Sequence, residues 1–289
     1  MRRLLLLAAL TPALGCAQTP VAASTGLPQI APDRYEKTMA SGGIMRHYIL
    51  RVPKAYDATK RLPLVVVLHG WTSSGAGVEA YSGMGDEAAR RGYISVYPDG
   101  LGQARGWNAG FIDLSGQKKD DVAFVGELID EVGKQVGVDP KRIYVCGHSN
   151  GAFLTNAVGA KYGDKIAAIG VVAGTIGLPK ATTKPMIPSP AAPLSVIALH
   201  GRLDPMVAYG TTIQALLMGT GALESAQWWA DKIGAKDPTT TDADDVETEI
   251  WHGPDGRDVE LVSYAKGKHE WPDGGAKLLL DFFDAHPKR

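Results

Sequence analysis

A serine between two glycines offers the clearest chemistry in this sequence. The segment Gly147-His148-Ser149-Asn150-Gly151 follows the apolar run Ile143 to Cys146 and precedes a helix-forming stretch, Ala152 to Val158. A serine on a sharp strand-to-helix turn presents its hydroxyl above the sheet edge, and flanking glycines let strand and helix approach closely. Ser149 is therefore the candidate nucleophile for acyl transfer. Because the chain has 35 glycines, the spacing also arises by chance, and further residues must support the assignment.

The base and the acid that such a serine needs are predicted further along the chain. A serine hydroxyl is a weak nucleophile and needs a histidine base, which a carboxylate orients. In the α/β-hydrolase arrangement the acid and then the base follow the serine, each in a loop after a strand. Asp204 comes shortly after a predicted strand and is the predicted acid. His269, in a loop with glycine and proline, is the predicted base, because the other later histidines lie at a strand end, in a strand and in the C-terminal tail: His200, His252 and His286.

Acyl transfer also needs two backbone N–H groups that stabilise the developing oxyanion. Asn150 follows the serine at the start of a predicted helix, and its N–H is the first predicted donor. The second donor is predicted in the loop after an apolar strand, where Gly70 lets the backbone turn. The N–H of Trp71 is the first choice there and that of Thr72 the alternative. His69 is predicted to support this loop by hydrogen bonds rather than to transfer protons.

From about Tyr35 onward, the sequence predicts alternating strands and helices. This alternation is typical of a mostly parallel sheet with helices on both faces, which is the predicted α/β fold class. Residues 35–289 show no repeat and no second core, so we expect one domain. The predicted strands are Tyr48–Val52, Leu64–Leu68, Tyr93–Tyr97, Ile143–Cys146, Ile166–Val172 and Leu194–His200. The predicted helices are Val78–Arg91, Val122–Gly133, Ala152–Tyr162, Gly221–Ile233 and Ala276–Ala285.

Two glycine- or proline-rich stretches interrupt this alternation, Asp99 to Asp121 and Gly174 to Pro193. Both are predicted to run over the surface as loops. Because loops at the carboxyl ends of parallel strands line the ligand crevice, we expect these two loops to form the substrate pocket. At the end of the first, Asp120 and Asp121 are predicted to cap the helix that follows, with a site-lining role as the alternative.

Three residues near the proposed site are predicted to bind substrate: Trp107, Asn108 and Trp271. The indole rings of Trp107 and Trp271, and that of Trp71, could stack on an aromatic or sugar ring. Packing in the core is the alternative for each tryptophan.

Charge and composition limit the partners. The net charge is -1 and the basic residues are scattered, which excludes nucleic acid as an expected partner. No group of cysteines or histidines has metal-ligand spacing, so no metal is expected. The chain has two cysteines, one of them in the leader described next, and Cys146 in an apolar strand is expected to be inert. We expect a monomer that acts on an ester substrate.

The N-terminus resembles an export signal over residues 1–16. Arg2 and Arg3 precede an apolar run that is too short to span a bilayer. The segment Ala13-Leu14-Gly15-Cys16 is similar to a bacterial lipobox, so attachment to the membrane through a lipidated Cys16 and ordinary secretion are both open. Residues 17–34 are rich in small residues and proline, which predicts a flexible tether.

Taken together, the motifs resemble the exported polyhydroxybutyrate depolymerase and feruloyl esterase group. The resemblance runs from about Tyr48 to Phe283. It implies an α/β-hydrolase fold, no cofactor, and hydrolysis of carboxylic esters through an acyl-enzyme, with Ser149, Asp204 and His269 as nucleophile, acid and base. The matching motifs are Leu68-His69-Gly70, Tyr97-Pro98-Asp99-Gly100, Trp107-Asn108, Asp120-Asp121-Val122-Ala123-Phe124, Val138-Asp139-Pro140-Lys141-Arg142-Ile143-Tyr144, Gly147-His148-Ser149-Asn150-Gly151, His200-Gly201 with Asp204, and His269-Glu270-Trp271-Pro272.

The sequence departs from this group at two positions. Cys146 lacks the partner with which many relatives form a cysteine pair near the site, and Lys268 precedes His269 where many relatives have glycine. The expected substrates are feruloylated or acetylated polysaccharide fragments, or hydroxyalkanoate esters. A peptidase or thioesterase on the same fold is the first alternative, and a lipid-anchored binding protein with an inactive site is the second.

Overall fold

The computed structural model describes residues 33–54, 56–110, 113–177, 187–210 and 220–289 of the chain. Strands and helices alternate through most of these ranges. The strands are β1 (Arg34–Ser41), β2 (Ile44–Arg51), β3 (Leu62–Leu68), β4 (Ile94–Pro98), β5 (Val138–His148), β6 (Ala168–Val172), β7 (Ser195–Gly201), β8 (Thr239–Ala243), β9 (Val246–His252) and β10 (Asp258–Tyr264). The helices are α1 (Gly75–Ser82), α2 (Met84–Arg90), α3 (Asp121–Gln135), α4 (Asn150–Tyr162), α5 (Ala222–Ile233) and α6 (Gly275–Ala285).

The described strands form one ten-stranded sheet with the order β1-β2-β4-β3-β5-β6-β7-β10-β9-β8. The strands from β4 to β10 in this order pair in parallel, and antiparallel strands flank them on both sides. The predicted mostly parallel sheet is therefore confirmed. Because parallel strands end at the same edge, the loops after β3, β5, β7 and β10 meet there.

Each face of the sheet carries its own apolar core. Strand β3 shows why its sequence is apolar throughout: Leu64 and Val66 pack into the first core, whereas Val65 and Val67 pack into the second. Helices α3, α4 and α5 cover the first face, and α1, α2 and α6 cover the second. A strand that is buried on both faces needs apolar residues at every position, which made the central strands readable from the sequence.

Several elements differ from the sequence prediction, and strand β10 is among those that the predicted strands do not include. Strands β1 and β8 lie at the two edges of the sheet and were not predicted, because neither is a continuous apolar run. All five residues of β8 are exposed, so their side chains give no burial pattern. The predicted helix Val78–Arg91 is divided into α1 and α2 at Gly83, whose backbone is left-handed with a φ of 66°.

Several predicted segments fall outside the described residues. They include the signal peptide, the tether up to residue 32, and parts of the two predicted surface loops, residues 111–112 and 178–186. In the described ranges, every helix is too short or too polar to cross a lipid bilayer.

Candidate active site

Ser149 lies on a tight turn between strand β5 and helix α4. Its backbone is in a strained region with φ 53° and ψ −117°, a conformation that costs a side-chain-bearing residue about 1–3 kcal/mol. The two glycines of the motif are needed for close packing. A Cβ at Gly147 would lie 2.5 Å from the carbonyl of Gly151, and a Cβ at Gly151 would overlap the carbonyl oxygen of Leu68. The turn therefore holds the serine side chain at the carboxyl edge of the sheet.

The structure brings the three predicted side chains together. Ser149 Oγ lies 2.8 Å from His269 Nε2, and His269 Nδ1 lies 2.7 Å from Asp204 Oδ2. The Asp204 side chain is fully buried, while that of His269 is 14% exposed. A buried carboxylate, a partly exposed imidazole and a hydroxyl in this order can relay one proton between the serine and a reacting group.

The carboxylate of Asp204 is held in place from both sides. Its Oδ1 accepts hydrogen bonds from the backbone N–H groups of Met206, at 2.8 Å, and Val207, at 2.9 Å. Burial alone would raise the pKa of Asp204, but the hydrogen bonds from His269 and these two N–H groups hold it below its usual value. His200 lies behind the acid, where its Nε2 is bonded to the carbonyl of Val207 at 2.9 Å. The acid therefore stays ionised and faces His269.

Backbone hydrogen bonds join the loop of the acid to the loop of the base. Arg202 N–H donates to the carbonyl of Tyr264 at 2.9 Å, and Leu203 N–H donates to that of Gly267 at 3.0 Å. A Cβ at Gly201 would overlap the Gly267 backbone, so the two loops touch directly. This contact explains how Asp204 reaches a histidine that lies 65 positions further along the chain.

The two segments that carry the predicted oxyanion donors lie beside the serine. Asn150 is the first residue of α4, so its N–H has no acceptor within the helix. The loop that carries Trp71 passes against the serine, because a Cβ at Gly70 would lie 3.4 Å from Ser149 Cβ. The N–H of Thr72, the alternative donor, is bonded to the carbonyl of Ala104 at 2.9 Å. The geometry thus favours Trp71 over Thr72.

Comparisons with known proteins agree with this geometry. Residues 46–184 match the family model described as Esterase PHB depolymerase. A Nocardia uniformis subsp. tsuyamanensis protein named as an esterase is 27% identical, over 80% of this chain and 72% of that protein. Feruloyl esterase B from Piromyces equi is 28% identical over 82% of this chain but only 44% of its own length. Among solved structures, the acetyl xylan esterase from Aspergillus awamori has a TM-score of 0.65 and 19% identity, covering 88% of this chain and 99% of that chain.

The predicted resemblance to the polyhydroxybutyrate depolymerase and feruloyl esterase group is confirmed. The protein is a serine esterase of the α/β-hydrolase fold. The chain spans less than half the length of the Piromyces relative.

Trp107 does not bind substrate in this esterase as predicted, whereas Asn108 stays a candidate. The side chain of Trp107 is fully buried, and its indole N–H donates to the carbonyl of His69 at 2.8 Å. The side-chain amide of Asn108 donates to the carbonyl of Lys119, and its oxygen accepts the N–H of Gly110, both at 2.9 Å. Complete burial contradicts the predicted substrate binding by Trp107. Substrate binding by Asn108, whose side chain is partly exposed, stays a prediction.

Two other tryptophans remain candidates for substrate contact, Trp71 and Trp271. The side chain of Trp71 is 49% exposed, which leaves its ring open to a ligand. Trp271 is partly buried and meets the rings of His148 and Tyr81 edge-on, at 6.4 and 6.5 Å between ring centroids. Substrate binding by Trp271 stays a prediction.

Sequence reasoning missed the roles of His148 and Tyr81. The ring of His148 stacks on that of His269 at a centroid distance of 5.4 Å, and its Nδ1 lies 3.2 Å from the Tyr81 hydroxyl. Burial, together with the nearby His269, lowers the pKa of His148 to about 4, so it is neutral at neutral pH. The position of His148 directly before Ser149 was a usable signal, whereas nothing in the sequence pointed to Tyr81.

A buried ion pair that the sequence did not reveal joins strand β2 to helix α3. Arg46 Nη1 donates to Asp121 Oδ1 at 2.6 Å, and the exposed fractions of the two side chains are 1% and 0%. Asp120 caps α3 as predicted by accepting the N–H of Ala123 at 2.9 Å. Asp121, predicted to cap the helix or to line the site, instead pairs with Arg46 and accepts the N–H of Asn108. The two adjacent carboxylates therefore have different structural roles.

His69 supports the loop of Trp71 through three contacts. Its Nε2 accepts the N–H of Gly100 at 2.9 Å, its Nδ1–H donates to the carbonyl of Gly70 at 2.7 Å, and its ring contacts that of Trp107. Burial lowers the pKa of His69 to about 4, so it is neutral at neutral pH. The predicted supporting position of His69 matches these contacts.

Proposed function

We propose that the protein hydrolyses carboxylic esters through an acyl-enzyme on Ser149. His269 takes the hydroxyl proton as Ser149 attacks the ester carbonyl, and it returns the proton to the leaving alcohol. Asp204 keeps the imidazole in the correct tautomer and stabilises its protonated form. In the second half of the reaction, His269 takes a proton from a water molecule, which attacks the acyl carbonyl. His269 then returns the proton to Ser149 Oγ, and the acid is released. The single observation that carries this proposal is the continuous relay from Ser149 Oγ through His269 to Asp204, at 2.8 and 2.7 Å.

The N–H groups of Trp71 and Asn150 are proposed as the oxyanion donors. Their support is the position of both loops against Ser149 and the engagement of the Thr72 N–H elsewhere. A single donor of this kind contributes about 10²–10³-fold to kcat in serine hydrolases.

As substrates we propose feruloyl or acetyl esters of plant polysaccharide, with hydroxyalkanoate esters as a second class. The named relatives support the first class and the matching family model supports the second. The half-exposed ring of Trp71 suits a sugar or an aromatic acyl group, because both stack on indole.

The proposed function predicts a specific loss of activity. Ser149→Ala should lower turnover of methyl ferulate by about 10⁴–10⁶-fold while the protein stays folded, because only the nucleophilic oxygen is removed. A fluorophosphonate should add its mass to Ser149 in the native protein and to no peptide of the variant. Undiminished turnover in the variant would refute the proposal.

A comparison of catalytic efficiencies tests the proposed substrate class. Values of kcat/KM for methyl ferulate, acetylated xylan and hydroxybutyrate oligomers rank the two classes on the same enzyme preparation. A preference of tenfold or more for the oligomers would reject the polysaccharide esters as the main class.

For the location of the protein, we propose export with residues 1–16 as the signal. Lipid attachment at Cys16, on the basis of the Ala13-Leu14-Gly15-Cys16 segment, and simple cleavage of the signal are the two alternatives. The mass of the mature N-terminal peptide from a bacterial host distinguishes a diacylglyceryl cysteine from an unmodified N-terminus, and the latter would reject lipidation.

A further inference from the structure

Trp107 contacts both chain segments that are proposed to supply the oxyanion donors. One segment follows the nucleophile and begins with Asn150; the other follows strand β3 and contains Trp71. These segments are about 80 positions apart in the sequence, and loop 99–110 lies behind both of them. The sequence suggested a ligand-stacking role for the indole, which its complete burial contradicts.

On the nucleophile side, the side chain of Asn150 pairs with the backbone of Trp107. Asn150 Oδ1 accepts the Trp107 N–H at 2.7 Å, and Asn150 Nδ2 donates to the Trp107 carbonyl at 3.4 Å. The Asn150 side chain is itself buried. The residue whose N–H is a proposed oxyanion donor is therefore fixed through its own side chain to residue 107.

The indole of the same residue holds the other segment. Trp107 Nε1–H donates to the carbonyl of His69 at 2.8 Å, two positions before Trp71. The rings of Trp107 and His69 also pack, with centroids 4.8 Å apart. The hydrogen bonds from Gly100 N–H to His69 Nε2 and from Thr72 N–H to the Ala104 carbonyl join the same loop to this segment.

A buried ion pair also lies near Trp107. The guanidinium of Arg46 lies 5.9 Å from the indole and pairs with Asp121, which in turn accepts the N–H of Asn108, the next residue after the tryptophan. The chain at residues 107 and 108 is therefore joined to a buried ion pair.

We infer that Trp107 is a positioning residue that sets the distance and direction between the N–H groups of Asn150 and Trp71. This inference rests on the proposed function. Preorganised donors act on the oxyanion only when they are held in place before the reaction, and a displacement of about 1 Å can cost about 10²-fold in rate. The effect should appear in the transition state and not in the binding of the ester, whose carbonyl is less charged.

The test is Trp107→Phe, which keeps an aromatic ring and the backbone contact with Asn150 but removes the indole N–H. We expect kcat to fall about 10–100-fold with KM within about twofold of the native value. A boronic acid, whose tetrahedral adduct on Ser149 carries the negative charge of the oxyanion, should lose affinity by a similar factor. A neutral competitive ligand such as ferulic amide should not.

Trp229→Phe is the matched control. Trp229 on helix α5 is equally buried, and its indole N–H donates to Asn156 Oδ1 on helix α4 at 2.8 Å. The control loses one buried hydrogen bond of the same kind and should keep its kcat. An equal fall in kcat for both variants would assign the effect to general loss of stability and overturn the inference.

A second variant covers the case in which Trp107→Phe does not fold. Asn150→Ala keeps the proposed N–H donor and removes only its contacts with Trp107, so it should reproduce the selective loss of kcat and boronate affinity. The double variant should lose less than the product of the two single effects, because both disturb one contact network. Unchanged kcat in folded single variants, with Ser149→Ala inactive, would reject the inference alone. Activity in Ser149→Ala would reject the proposed function itself.

Discussion

Two carboxylates of this esterase are equally buried yet differ in what they can do. Asp204 lies 2.7 Å from His269, and Asp121 lies 2.6 Å from Arg46. Both side chains are inaccessible to solvent, and each also accepts at least one backbone N–H. By distance and burial alone the two pairs could not be told apart.

The difference lies in the partners. At Asp204, hydrogen bonds outweigh burial and lower the pKa, whereas at Asp121 burial outweighs the attraction of Arg46 and raises the pKa. His269 can release its proton and reaches Ser149, while Arg46 keeps its charge and lies over the ring of Phe124 at 3.7 Å. A buried carboxylate supports proton transfer only when its partner can exchange a proton with a bound substrate. With a permanent cation, it fixes one chain segment to another.

The largest effect should come from Asp204→Asn. The asparagine can still accept the N–H groups of Met206 and Val207, but it no longer favours the imidazole tautomer that accepts the serine proton. We expect kcat to fall about 10⁴-fold. The free energy of unfolding from urea titration should change by no more than about 1 kcal/mol. A large loss of stability with normal kcat would reverse the roles assigned to the two acids.

Asp121→Asn should show the opposite behaviour. The substitution leaves the charge of Arg46 buried without a counter-ion, so we expect the free energy of unfolding to fall by about 3–5 kcal/mol. The kcat of the folded fraction should stay within about tenfold of native.

An apolar replacement of the whole pair, Arg46→Met with Asp121→Leu, controls for the missing charge. Removing both charges should recover much of the stability that Asp121→Asn loses, because no unpaired charge remains buried. Urea unfolding of the three proteins in parallel checks this, and a double variant less stable than the single one would show that the ion pair itself stabilises the fold.

The smallest expected effect is the contribution of buried His148 to the pH dependence of stability. The pKa of His148 is about 4 in the folded protein against a usual value of 6.5, so between these values the unfolded chain binds a proton that the folded protein excludes. Stability should therefore fall as the pH drops from 6.5 towards 4. In His148→Gln this decrease should be shallower by up to about 1.4 kcal/mol per pH unit. Urea unfolding at several pH values measures it, and an unchanged slope would mean that His148 gains its proton more easily than its burial implies.

The sequence predicted the centre of the molecule better than its edges. Strand β3 is apolar at every position because both of its faces are covered. Asp204 and His269 could be assigned because each lies in a loop with glycine and proline after a strand. The edge strand β8 is entirely exposed and has no such pattern.

Contacts between distant segments account for the errors within the site. The partner of Asp121 lies 75 positions away, and nothing near Arg46 in the sequence indicates an ion pair. The indole of Trp107 suits either a ligand or the core by composition, and only the position of the His69 carbonyl decides between them. Local patterns predict which strands and loops form, whereas hydrogen bonds across the fold depend on the packed geometry.

The hydrogen bonds that join residues 202 and 203 to the loop of His269 have a practical consequence for engineering. An insertion in either loop would displace the acid and the base together. Most variants from a library randomised there would therefore be inactive. Substitution of the exposed side chain at position 71 leaves the hydrogen bonds between these two loops unchanged. Directed evolution towards new esters should therefore begin at this position.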